Sequence, residues 1–180
     1  MLTELDILRD VTSKFKQLEI QYMLTGSLAM SYYAQQRMTR DIDLVVNIFP
    51  DIVEKMESVF TPDYYISVES VKDAINNAFI FNLIHTNSSI KVDCIVRKKD
   101  KYRITEFERR HKIRLTDFEV YIVSKEDLII SKLIWFKESG SDLQKRDIKN
   151  LLGSGCDSDY LLNWIGRLNL TKEYQAIINE

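Results

Sequence analysis

The sequence predicts an α/β (α+β) fold, a small mixed β-sheet flanked by helices with an all-helical tail behind it. Three observations lead there. Over residues 1–123, short runs of strand-forming residues alternate with amphipathic segments. Two of those runs, 78–85 and 89–96, flank the turn-like Thr86-Asn87-Ser88, which is a hairpin signature. From Ser124 onward the apolar period is helical throughout, which sets a boundary between a domain at 1–123 and a helical extension at 124–180.

Each element follows from local chemistry. Thr3 and Asp6 have capping-box spacing, and Leu5, Leu8, Val11, Phe15 and Leu18 recur on one face, so 4–18 is a helix that covers the sheet. Residues 20–25 are a buried strand. Gly26-Ser27 ends it, and Ser27 can cap a helix at 28–36. A loop at 37–40 leads to a strand at 41–47. Pro50 suits the first turn of a helix at 51–60, with Val53, Met56, Val59 and Phe60 as its stripe. Residues 64–67 read as a short strand and 68–77 as a helix or loop. The charged stretch 97–114 reads as helical between Ile104 and Lys112, and 118–123 as a strand. Beyond it, Ser124 and Asp127 form a second capping signature before helices at about 124–137 and 142–152. Two shorter helices follow, at 158–168 and 172–179.

Composition bounds the function classes. A chain of 180 residues makes one domain, or one with a small appendage. A formal net charge of -2 suggests no polyanionic partner through bulk charge. No apolar run reaches the length of a membrane span, and the N-terminus lacks a basic-then-apolar leader pattern. Cys94 and Cys156 fit neither a disulfide framework nor a zinc site, so the expected compartment is a reducing cytoplasm. The glycine spacings of P-loop and dinucleotide-binding motifs and the serine-hydrolase signature are absent.

The chemistry concentrates in the stretch 23–46. On a strand Asp41 and Asp43 share one face, while Ile42 and Leu44 take the other. Two carboxylates held together repel, and a divalent cation removes that cost; Mg²⁺ is usually held by one or two carboxylates with phosphate oxygens and water. The same pair also fits two solvated aspartates at a strand entrance. Asp93 alternates with the apolar Val92 and Cys94, and strand pairing can bring it beside the other two. Three such carboxylates suit two-metal phosphoryl chemistry. Gly26-Ser27 can offer an uncluttered helix N-terminus to a phosphate, or can be a plain strand–helix turn. Lys132 lies at the edge of an apolar helical face, where it snorkels outward or meets an anion. Asp147 can orient it, or pair with Arg146 or Lys149. Residues 97–114 hold nine Lys or Arg, which can guide RNA, although interspersed acids also describe a solvated face.

The order of these pieces resembles the nucleotidyltransferase superfamily that includes DNA polymerase β, the minimal nucleotidyltransferases and antibiotic-modifying enzymes. Its pattern, hG[GS], a spacer, then Dh[DE]h, is matched by Leu24-Thr25-Gly26-Ser27 and Asp41-Ile42-Asp43-Leu44, with Thr25 where an apolar residue is usual. Arg37-Met38-Thr39-Arg40-Asp41-Ile42-Asp43 is also similar to the R-x-T-x-D-h-D version of AbiEii-type toxin relatives. Ser124-Lys125-Glu126-Asp127-Leu128, Lys132 and Arg146-Asp147 extend that likeness, and Asn150 departs from it at a second aspartate. The resemblance implies NMP transfer from an NTP to an acceptor hydroxyl or phosphate, with pyrophosphate released. Asp41 and Asp43 are then metal residues, and Asp93, brought beside them by strand pairing, completes the catalytic and metal set, with two Mg²⁺ expected. Gly26, Ser27 and Lys132 hold the nucleotide. RNA, protein and small molecules all stand as acceptors. The rival expectation is a non-catalytic nucleotide- or partner-binding protein on this scaffold, with an antitoxin-type partner.

Overall fold

The structure is a computed structural model that describes residues 2–34 and 41–179. Among these residues seven strands form one mixed sheet in the order β3-β4-β5-β2-β1-β7-β6. The chain opens with α1 (Glu4–Gln17), started by the capping box that its sequence spells. The Asp6 carboxylate accepts from the Thr3 N–H at 2.8 Å, and Thr3 Oγ1 accepts from the Asp6 N–H at 3.3 Å. β1 (Gln21–Thr25) follows and runs straight into α2 (Gly26–Tyr33). β2 (Asp41–Asn47) returns antiparallel to β1.

A single 3₁₀ turn at Pro50–Ile52 leads into α3 (Val53–Phe60), then β3 (Tyr64–Tyr65) and α4 (Val68–Asn77). β4 (Ile80–His85) and β5 (Lys91–Val96) form the expected hairpin. β5 lies parallel to β2, with Asp41 opposite Lys91 and Asp43 opposite Asp93. α5 (Lys101–Glu108), β6 (His111–Leu115) and β7 (Phe118–Ile122) complete the first part. The tail is α6 (Lys125–Ser139), α7 (Asp142–Gly153), α8 (Ser158–Arg167) and α9 (Thr171–Ile178).

Strand alternation decides which face is core. Ile42, Leu44 and Val46 of β2 and Val92 and Cys94 of β5 are buried on the side covered by α1, α3 and α4, where Phe15, Met56 and Phe60 pack. The odd-numbered residues of both strands face the other way. Removing that many side chains from water, at about 25 cal/mol per Å² of apolar area, is what holds the layers together.

Two expectations change. Residues 111–115 are a strand rather than the end of a helix, because the helix stops at Glu108 and β6 pairs antiparallel with β7. β6 is an edge strand on which only Ile113 is buried, and charge on its remaining positions is how exposed edges avoid pairing with other chains. The second helix begins at Gly26 instead of Leu28, so Ser27 sits inside its first turn and is not its cap.

Candidate active site

The strand–helix junction is built around one close contact. Gly26 has φ +63°, in the left-handed region, and a Cβ there would stand 1.9 Å from Asp43 Oδ2. Only glycine lets the β2 carboxylate lie against the start of α2. Asp43 then accepts the backbone N–H of Ser27, so a residue from another strand satisfies one of the free donors of α2. Burial holds the Asp43 carboxyl above its ordinary range, and the facing charge of Asp93 adds to this. The Ser27 N–H opposes both, Asp41 adds a further push, and the positive charge of Lys132 opposes it.

Asp93 stands directly across from Asp43 in the parallel β2–β5 register, and Asp41 lies two residues before Asp43 on the same face. The fold therefore collects the three aspartates singled out in the sequence. They do not stand alone. Lys91, also on this face, puts its Nζ 3.1 Å from Asp93 Oδ2 and 3.9 Å from Asp41 Oδ1. The side-chain amide of Asn82, opposite Asp93 on β4, donates to Asp93 Oδ1. With the side chains so engaged, no three His, Cys, Asp or Glu close on a point that could hold a metal ion, among the described residues. The donor set still fits a hard divalent cation: carboxylates share one sheet face, and the repulsion of the half-buried Asp43 by Asp93 and Asp41 is what such an ion would relieve.

Across from this face, α6 contributes Lys132. It is 3% exposed, and its Nζ donates to Asp147 Oδ2 at 2.8 Å and to Gln144 Oε1 at 3.2 Å, both on α7. A buried ammonium is tolerable only when paired and hydrogen-bonded in this way. Lys132→Met leaves the buried Asp147 without that ammonium. A loss of about 3 kcal/mol is expected, and adding Asp147→Asn should recover part of it in a double-mutant cycle by urea unfolding.

Between the two lies a cavity of about 280 Å³ lined by Gly26 and Asp43 at one end, Val45 and Ile95 on its floor, and Ser131, Lys132 and Trp135 on its wall. A larger hollow of about 630 Å³ lies between α1 and the β6–β7 hairpin, at the far end of β1. None of the motif residues lines it, so its size is no guide to the chemistry.

Several solved structures share this architecture. The complex of ANT(2")-Ia with adenylyl-2"-tobramycin matches with TM-score 0.63 at 12% identity, over 96% of this chain and 99% of that one. An antigenic nucleotidyltransferase-like protein from Paracoccidioides brasiliensis matches with TM-score 0.58 at 17% identity, over 98% and 97%. The lincomycin-bound lincosamide antibiotic adenylyltransferase LnuA matches with TM-score 0.53 at 16% identity, over 83% and 96%. The fold is that of the nucleotidyltransferases. No family model matches the sequence, and no curated protein matches it. The likeness is to the broad nucleotidyltransferase fold and does not single out AbiEii-type toxins; residues 37–40 of the motif quoted for them lie outside the described residues.

On this nucleotidyltransferase fold, three pocket or face residues were not singled out in the sequence: Lys91, Asn82 and Trp135. Lys91 had a usable signal, since it lies two residues before Asp93 and must share its face. The basic stretch 97–114 is in large part tied down. Arg103 pairs with Glu106 at 2.8 Å, and Arg109 with Asp127 at 3.0 Å. Arg110 lies 4.1 Å from the Phe107 ring centre. Both cysteines are free, with Cys94 in the core. Among the described residues no helix is long and apolar enough to cross a membrane.

Proposed function

We propose that the protein transfers a nucleotidyl group from an NTP to an acceptor. The observation that carries this is the contact of Asp43 with Gly26 and the Ser27 N–H, with Asp93 beside it, on a nucleotidyltransferase fold. The acceptor oxygen forms a new bond to the α-phosphorus, the bond to the β-phosphate oxygen breaks, and pyrophosphate leaves with its electron pair. Asp41 and Asp43 would hold a Mg²⁺, which when bound offsets the negative charge of the phosphates and polarises the reacting phosphorus. The chain's own groups do the rest. The remaining free N–H groups of the first turn of α2 bind phosphate oxygens, and the missing side chain of Gly26 admits them. Lys132 supplies positive charge on the opposite wall. Asp93 takes the acceptor proton, and the helical extension from 124 onward closes the cavity.

The acceptor is proposed to be a small molecule. ANT(2")-Ia and LnuA were solved with an antibiotic product or ligand, and the cavity here is of nucleoside size. Incubation with labelled NTPs and Mg²⁺ against aminoglycosides, lincosamides, total RNA and total protein tests this. Label transfer with pyrophosphate release is expected, and its absence across all four would remove the enzyme reading. A second reading, nucleotide binding without transfer, draws on the engagement of both Asp93 oxygens by Lys91 and Asn82. Calorimetric binding with no pyrophosphate release would favour it.

Trp135 provides an independent check on occupancy. It lines the cavity and is 57% exposed, whereas Trp164, the other tryptophan, is 7% exposed. Nucleotide binding should quench the Trp135 emission, and Trp135→Phe should remove that response while leaving the buried signal of Trp164.

A further inference from the structure

We infer that Lys91 takes the place of a second divalent ion at this site, so that a single ion on Asp41 and Asp43 serves the reaction. This rests on the nucleotidyl-transfer reading above and specifies its metal requirement.

The register makes a four-cornered arrangement on one sheet face. Asp41 and Asp43 lie on β2, and Lys91 and Asp93 stand directly across from them on β5. Neighbouring strands are about 4.8 Å apart, and alternate residues along a strand about 6.6 Å, so each corner can reach its neighbours through its side chain. The fourth corner is a cation by sequence. Its ammonium bridges Asp93 at 3.1 Å and Asp41 at 3.9 Å, the two carboxylates on either side of it.

Asp93 is thereby committed. One of its oxygens receives Lys91 Nζ and the other receives the Asn82 amide, both from side chains of the same sheet. Each of these oxygens keeps a lone pair that can receive a proton, whereas a divalent ion placed there would stand beside an ammonium and be repelled by it. Asp43, by contrast, leans on Gly26 at the opposite corner, away from the Lys91 contacts. Lys91 is then a positioning residue: with Asn82 it fixes the orientation of the Asp93 carboxylate, where a second ion would otherwise do so.

Counting bound Mn²⁺ tests this without any turnover. The full chain is titrated with Mn²⁺ in the presence of a non-hydrolysable ATP analogue, and free Mn²⁺ is followed by electron paramagnetic resonance. One ion per chain is expected for the parent and for Lys91→Arg, which keeps the positive charge. Two are expected for Lys91→Met, the second at least ten times tighter than any second site in the parent. The Lys91 side chain is 39% exposed, so the variant should fold, and Lys91→Gln provides the same test should methionine prove insoluble. Two ions on the parent, or one on both neutral variants, overturns the inference while leaving nucleotidyl transfer standing. No ion on any of them overturns the transfer reading as well.

Discussion

Asp43→Asn is expected to abolish nucleotidyl transfer and to leave the chain at least as stable as the parent. The loss of activity follows from the place of the residue. Asp43 joins the sheet carboxylates to the first turn of α2, so on the proposed reading removing its charge would remove both the hold on a cation and its alignment with the phosphates. Deleting a principal electrostatic stabiliser costs several kcal/mol of barrier, or about 10³-fold in rate. Stability runs the other way. Burial and the charges of Asp93 and Asp41 disfavour the ionised Asp43, whereas the amide oxygen of asparagine can still accept the Ser27 N–H. A melting temperature unchanged or raised by about 2 °C, with label transfer lost, is the expected pair of results. A variant that transferred label at the parental rate would remove the metal assignment.

Gly26→Ala is expected to damage both properties. The left-handed backbone alone costs an alanine about 1–2 kcal/mol. Its methyl group would also stand 1.9 Å from the Asp43 carboxylate, so Asp43 must swing away from the turn. At about 2–4 °C per kcal/mol for a chain of this size, the melting temperature should fall by about 2–8 °C from the backbone cost alone. Transfer should drop at least as far as in Asp43→Asn, since the carboxylate is displaced and the phosphate approach is blocked. An alanine variant with parental melting and activity would show that the junction is looser than described.

The strands and the shared face of Asp41, Asp43 and Asp93 were legible because strand alternation is local and the apolar partners Ile42, Leu44, Val92 and Cys94 mark the buried side. What escaped was set by contacts between distant segments. Ser27 has the spacing of a cap, yet the acceptor at this helix start comes from β2, which no local pattern encodes. β6 was hidden because an edge strand with one buried residue and a row of charges looks like a solvated helix in sequence. Lys91 was passed over for a different reason. An exposed lysine on a strand usually means nothing, and only the pairing of β5 with β2 gives it two carboxylates. Arg37, Thr39 and Arg40, which gave the sequence its narrower likeness, fall outside the described residues.

The buried pair of Lys132 and Asp147 has a practical corollary for anyone wishing to shorten this protein. The acids come from the first half of the chain, but the lysine opposite them sits on α6 and is neutralised from α7. A fragment ending at 123 would keep Asp41, Asp43 and Asp93 and lose Lys132 together with its partner Asp147. The sheet acids and the buried lysine that faces them thus come from opposite ends of one polypeptide, and trimming either end would leave half of that face.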